Sequence, residues 1–222
     1  MSKEIYLISG LGADERVFQR LDFQHHKPIY IHWIAPKHKE SIRDYATRLL
    51  TQITSEKPWL LGVSFGGMIA TEIAQQMDCE GIILVSTTTT REEIPVLYRL
   101  AGKLHLHRCL PTALLKRANA FTCWLFGMKT IPEKQLLKSI LQDTERLFLS
   151  WAINAILHWD NRKPINYTLR LHGSKDRILP ISNLNDTDVV ILDGGHLMIY
   201  SNADTVNAVL QSMPPFSSRE ST

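Results

Sequence analysis

Short runs of consecutive apolar residues alternate along this chain with stretches where apolar side chains recur every three or four positions. Ile5-Tyr6-Leu7-Ile8, stopped by Ser9-Gly10, is the first run and suits a strand covered on both faces. Ile29–Ile34, ended by Pro36, is a second, and Trp59–Val63 and Gly81–Val85 are a third and fourth. Between them, Ser41 offers an N-cap to a helix carrying Ile42, Tyr45, Ala46, Leu49 and Ile53. Met68, Ile69, Ile73 and Met77 recur at helical spacing directly after the third strand. This β-α-β order predicts an α/β fold with a mostly parallel central sheet and helices on both faces.

From Thr88 to Pro164 the strand signal lapses. Helical patterns take over at Ala113–Phe126, Glu133–Leu141 and Asp143–Trp159. Strands resume at Tyr167–Leu171 and Val189–Leu192, and a helix over Ala203–Met213 closes the pattern. The expected organisation is an α/β core at 1–87 and 165–213, interrupted by an all-helical insertion at 88–164. Residues 214–222 form a polar tail expected to be loose.

Composition narrows the function classes. Of 222 residues, 44% are hydrophobic and 21% charged, the range of an ordinary globular protein. The net charge is +3 and no run collects five or six like charges, so neither nucleic acid nor an anionic membrane is indicated as a partner. The average hides an asymmetry. Residues 88–164 hold twelve Lys/Arg against six Asp/Glu, a local +6 that leaves −3 elsewhere. That surface is either a selector for anionic substrates or an ordinary solvated face. Three cysteines without a CxxC pair suggest no disulfide framework and no zinc knuckle. The start of the chain is too short and too charged for a secretory leader, and the most apolar window, Leu147–Trp159, is too short to span a membrane. The expectation is a cytoplasmic protein.

The sharpest chemical signal is Gly62-Val63-Ser64-Phe65-Gly66-Gly67, a G-x-S-x-G between a predicted strand and a predicted helix. Such a turn needs small residues on either side of the serine because the chain closes on itself. It pushes the hydroxyl out at the carboxyl edge of the sheet, under a helix N-terminus. A serine nucleophile needs a base, and the base an orienting acid. Asp176, in His172-Gly173-Ser174-Lys175-Asp176, lies just past the strand ending at Leu171. His196, in Asp193-Gly194-Gly195-His196, lies on the equivalent loop one strand later. Loops at the carboxyl ends of parallel strands converge on one crevice.

These segments resemble the α/β-hydrolase superfamily, specifically its small, cap-bearing, esterase-like members. Ile8-Ser9-Gly10-Leu11-Gly12 resembles the glycine-rich loop after the first core strand, with Ser9 where the family usually has histidine. The resemblance implies Ser64, His196 and Asp176 as a catalytic triad. It also implies the backbone N–H groups of Leu11 and Phe65 as an oxyanion hole, and residues 88–164 as a cap. The chain enters its first recognisable parallel strand at Ile5, so the family's usual N-terminal hairpin is expected to be missing. The implied substrate is a small or medium carboxylic ester, or a thioester, with no cofactor and no metal. A slow-turnover ligand sensor, or carbon–carbon or nitrile chemistry on the same triad, stays open, as does the oligomeric state.

Other residues are assigned lesser roles. Asp193 is read as turning its loop, Asp14 as a turn or cap residue, and Asp186 and Asp188 as solvated. His172 precedes the acid loop and is read as a local structural contact. His105-x-His107-x-Cys109 lacks a carboxylate or second ligand pair, so a metal there is set aside. His25, His26, His32 and His38 are read as surface or loop residues.

Overall fold

The computed structural model describes residues 3–24, 26–104, 116, 118–213 and 216. Six strands form one sheet: β1 (Glu4–Ile8), β2 (Lys27–Tyr30), β3 (Trp59–Val63), β4 (Gly81–Val85), β5 (Leu169–Gly173) and β6 (Val189–Ile191). Their order is β2-β1-β3-β4-β5-β6 and every neighbouring pair is parallel. The helices are α1 (Ile42–Leu49), α2 (Phe65–Ala74), α3 (Val96–Lys103), α4 (Ala120–Phe126), α5 (Ile131–Asp143), α6 (Arg146–His158), α7 (Met198–Ser201) and α8 (Ala203–Gln211). No helix among the described residues is long and apolar enough to cross a membrane.

Side chains alternate across a strand, so a run buried throughout feeds two cores. Ile5, Leu7, Leu61, Val63, Ile83, Val85, Leu169 and Leu171 point to one face, packed by α5, α7 and α8. Tyr6, Ile8, Leu60, Ile82 and Leu84 point to the other, packed by α1, α2 and α6. The 88–164 segment therefore serves both sides: Leu137 and Ile140 of α5 join the first core, and Phe148 and Ala152 of α6 the second. Truncating a central residue such as Leu61 to alanine would cost about 2–5 kcal/mol.

Several boundaries differ from the expected ones for local reasons. The second strand is Lys27–Tyr30, with Pro28 tolerated because β2 is an edge strand. Its last residue paired with β1 is Tyr30, opposite Leu7. Beyond Ile31, backbone amides turn to side chains, His32 N–H to Gln52 Oε1 (2.9 Å) and Ile34 N–H to the Tyr45 hydroxyl (2.9 Å). The fifth strand begins at Leu169, its first residue paired with β4, two residues later than the apolar run implied. Leu192 leaves β6 because the chain turns there, with Asp193 at φ 58°. The first helix ends at Leu49 and continues as a 3-10 turn to Gln52. Asp143 closes α5 rather than opening α6. Glu145 is extended, and its carboxylate caps α6 by accepting from the amides of Leu147 (2.9 Å) and Phe148 (2.6 Å). Helix α5 gains its first turn from a capping box between Thr130 and Glu133. The expected helix at Ala113–Phe126 is seen as α4, capped by Asn119, its earlier part lying outside the described residues except Lys116 and Ala118. Helix α3, which the sequence pattern did not single out, packs against α6. In the expected tail, Phe216 is buried against Phe23 and His26, and residues 214, 215 and 217–222 lie outside the described ones.

Candidate active site

Ser64 joins β3 to α2 with φ 53° and ψ −120°, a conformation that strains a non-glycine residue by about 1–3 kcal/mol. The turn is held on every side. Ser64 N–H donates to Val85 O (2.9 Å), and its carbonyl accepts from Gly67 N–H (2.9 Å) and the Thr87 hydroxyl (2.6 Å). Glycine is required around it by contact: a Cβ on Gly66 would strike the carbonyl oxygens of Ile8 and Ser9, and one on Gly62 would fall 2.6 Å from Gly66 O. The hydroxyl thus stands at the carboxyl edge of the sheet, beside the N-terminus of the ten-residue helix α2.

The two downstream loops meet it there. Ser64 Oγ lies 2.8 Å from His196 Nε2, and His196 Nδ1 lies 2.8 Å from Asp176 Oδ2. Asp176 Oδ1 accepts from the amides of Ile178 and Leu179, both at 2.9 Å. Burial opposes ionisation of Asp176, but His196, His172 and the Leu179 amide outweigh it and hold the carboxyl well below the usual range. Asp176 is therefore a carboxylate at neutral pH, able to fix the His196 tautomer and to stabilise its cation.

The loop after β1 lies against the serine: a Cβ on Gly10 would be 3.5 Å from Ser64 Cβ. The Ser9 hydroxyl donates to Ala13 O (2.7 Å), Ala13 N–H to Gly10 O (3.0 Å) and the Trp33 indole to Ala13 O (2.8 Å). Serine thus supplies internal hydrogen bonding to the loop in place of histidine. Leu11 follows Gly10, and Phe65 opens α2, where the first amides have no intrahelical acceptor. Phe65 is buried against Trp33, Phe148 and Trp151, which ties the serine's neighbour to α6.

Helix α4 touches both loops. Arg177 donates to Trp124 O (2.8 Å) and stacks on the Trp124 ring, while Leu197 N–H donates to Phe126 O (3.3 Å). The Phe126 ring stands edge-on to the His196 imidazole, 5.8 Å between centroids. Of the other aromatic residues between 88 and 164, Phe121 and Trp124 are exposed and stacked on each other, whereas Trp159 is buried and donates to Glu72.

The minor assignments gain detail. His172 makes its contacts locally, its Nε2 lying 3.3 Å from Oδ2 of Asp176, four residues on. Asp186 and Asp188 are exposed, and each also holds Arg170, Asp186 its buried guanidinium (2.9 Å) and Asp188 its amide (2.7 Å). The apolar pattern concealed Arg170, a wholly buried arginine inside β5, and its bidentate partner Glu93. Its signal was a charge in the middle of an apolar run. Asp193 is exposed and pairs with Lys175, away from His196, and Asp14 caps the 3-10 turn at Glu15–Phe18. The His105–Cys109 cluster and His25 lie outside the described residues, among which no group of three or more His, Cys, Asp or Glu is placed to hold a metal ion.

A parallel sheet in this order, with a strained serine between β3 and α2, is the architecture of an α/β hydrolase. A family described as "Alpha/beta hydrolase family" matches residues 6–209, and the chain belongs to it. Family membership supports hydrolase activity. Among solved structures it is similar to an esterase from Exiguobacterium antarcticum (17% identity, 95% of this chain and 91% of that one, TM-score 0.70). It is also similar to the enol-lactonase of Burkholderia xenovorans LB400 (18%, 96% and 91%, TM-score 0.69) and a bromoperoxidase from Bacillus anthracis (16%, 96% and 91%, TM-score 0.69). At these identities the likeness is one of fold. No curated protein matches in sequence.

Proposed function

We propose that the protein is a serine esterase acting on small or medium carboxylic esters or thioesters through an acyl-enzyme. The observation that carries this reading is the continuous contact from Ser64 Oγ through His196 to Asp176, on a serine held at positive φ. His196 takes the Ser64 proton as the hydroxyl oxygen attacks the substrate carbonyl. The N–H groups of Leu11 and Phe65 hold the developing oxyanion. His196 returns the proton to the leaving alcohol or thiol, then takes one from water as it attacks the acyl-enzyme, and gives that proton back to Ser64 Oγ as its bond to the acyl carbon breaks and the acid departs. In this reading residues 88–164 are the helical cap over a core at 1–87 and 165–213, and α4 joins cap to core at the acid and histidine loops.

The test is hydrolysis of a panel of p-nitrophenyl esters from acetate to octanoate, with matched thioesters and lactones, by wild type and Ser64→Ala. The expected result is turnover of esters, reduced roughly four to six orders of magnitude in Ser64→Ala. Wild type inert on the whole panel, or a Ser64→Ala variant that keeps its activity, would overturn the proposal.

A further inference from the structure

His172 is the last residue but one of β5 and is wholly buried. Its Nε2 lies 2.7 Å from Leu179 O and 3.3 Å from Asp176 Oδ2. Both are acceptors, since Leu179 O is a carbonyl and Asp176 is ionised, so Nε2 carries the hydrogen, donating to Leu179 O with Asp176 Oδ2 close beside it. Nδ1 is buried with no partner among the described residues, and an N–H there would be left without an acceptor. Nδ1 is therefore a bare lone pair. Across the sheet, one position beyond the Val85–Leu171 pair, stands Ser86, whose amide donates to Leu171 O (3.1 Å) and whose buried hydroxyl also lacks a partner. A donor hydroxyl and an acceptor nitrogen thus occupy neighbouring register positions behind the acid.

We propose that His172 is a positioning residue: a second imidazole beside Asp176 that helps to fix Oδ2, the oxygen that serves His196. The inference rests on the triad reading and deepens it. Asp176 Oδ1 is already fixed by two amides, whereas Oδ2, the oxygen that serves His196, has only imidazole partners. Without His172, Oδ2 would keep only His196 as a partner among the described residues, and the carboxylate would hold His196 on Ser64 less firmly. No proton passes through His172, because its only N–H remains between two acceptors. The His172 donor also takes up part of the carboxylate's charge, which leaves less to stabilise protonated His196. The titratable groups acting on Asp176 are His196, His172 and, from α3, Tyr98, whose own hydroxyl is pushed up by burial first and then by Asp176.

The experiment compares His172→Gln with His172→Asn. The Gln amide nitrogen overlays Nε2 and still donates toward Asp176. The Asn amide overlays Nδ1 and falls short. The readout is the rate of inactivation by a fluorophosphonate across pH, per active site counted by final labelling. His172→Asn is expected to react roughly ten- to a hundredfold more slowly. Its acid limb should move to higher pH, because Asp176 then favours protonated His196 more strongly. His172→Gln should keep the wild-type limb and most of the rate. An Asn variant with the wild-type limb, or Gln and Asn variants that behave alike, would overturn the inference while leaving the triad standing. A wild type that never labels at Ser64 would remove both.

Discussion

Two buried carboxylates at the carboxyl edge of this sheet invite comparison. Glu93 and Asp176 each accept from two backbone amides, Glu93 from Thr89 (2.7 Å) and Asn185 (3.1 Å), Asp176 from Ile178 and Leu179 (2.9 Å each). Burial opposes the charge of both, and in both the partners win and hold the carboxyl below its ordinary range. The difference lies in the partner. Glu93 faces the Arg170 guanidinium, a permanent cation in bidentate contact at 2.9 and 2.7 Å. Asp176 faces imidazoles, one of which turns its other nitrogen to Ser64. A permanent cation makes the first pocket a fastening, because nothing in it changes state near neutral pH. In the proposed mechanism a titratable partner makes the second the reactive one. The fastening still serves the reactive pocket: Arg170 donates to Thr87 O (2.9 Å), and the Thr87 hydroxyl holds the carbonyl of Ser64.

Substitution should separate the two pockets. The largest expected effect is that of Asp176→Asn, a loss of about four orders of magnitude in kcat, since the amide favours the wrong His196 tautomer. The corresponding Glu93→Leu should instead cost about 3–5 kcal/mol of stability by leaving Arg170 buried against a partner lost, with kcat per folded molecule within tenfold of wild type. Urea unfolding beside active-site titration measures both. Equal loss of activity per folded molecule in the two variants would erase the distinction. The double variant Glu93→Leu/Arg170→Met should recover part of the stability lost by Glu93→Leu, because the orphaned charge is gone.

Acid should weaken both pockets in the same direction. A carboxylate whose folded pKa is depressed adds stability that is fully present above its unfolded value, 4.5 for Glu93 and 3.8 for Asp176. That stability is lost as pH falls through the folded values. Unfolding free energy should therefore decline below about pH 4.5, and less steeply in the double variant, which lacks Glu93. Identical slopes would contradict the assignment.

Glu72 provides the smallest and opposite effect. It is buried, receives the Trp159 indole N–H (2.7 Å) as its one close partner among the described residues, and burial pushes its carboxyl up, with Trp159 and Arg43 only partly offsetting it. A raised folded pKa means stability lost as pH rises through that value. Glu72→Gln, which still accepts from Trp159, should raise Tm at pH 7 by a few degrees, of the order that 1 kcal/mol produces in a chain of this size. The gain should vanish below pH 4.5; a lower Tm at pH 7 would show that the charge itself is needed there.

Much of this was legible in the sequence because the strongest signals are local. Continuous apolar runs mark β3 and β4 to the residue, and the G-x-S-x-G marks the turn at Ser64. What escaped depends on contacts distant in sequence. Pairing of β2 with β1 ends at Tyr30, opposite Leu7, and no property of Ile31–Ile34 announces that. Arg170 reads as a polar interruption until Glu93, 77 positions away, is brought onto it. His172 differs: its contact with Asp176 spans only four residues, yet chain order, which excludes it as the base, says nothing of that contact.

The central claim is that Ser64 is the nucleophile of a covalent reaction. The most direct measurement is mass analysis of the peptide containing Ser64 after acid quench of the enzyme mixed with p-nitrophenyl butyrate. The account predicts a butyryl adduct on Ser64 at near one per site, formed in a burst, and absent in His196→Ala. Hydrolysis without an adduct on Ser64, or an adduct on another residue, would contradict it.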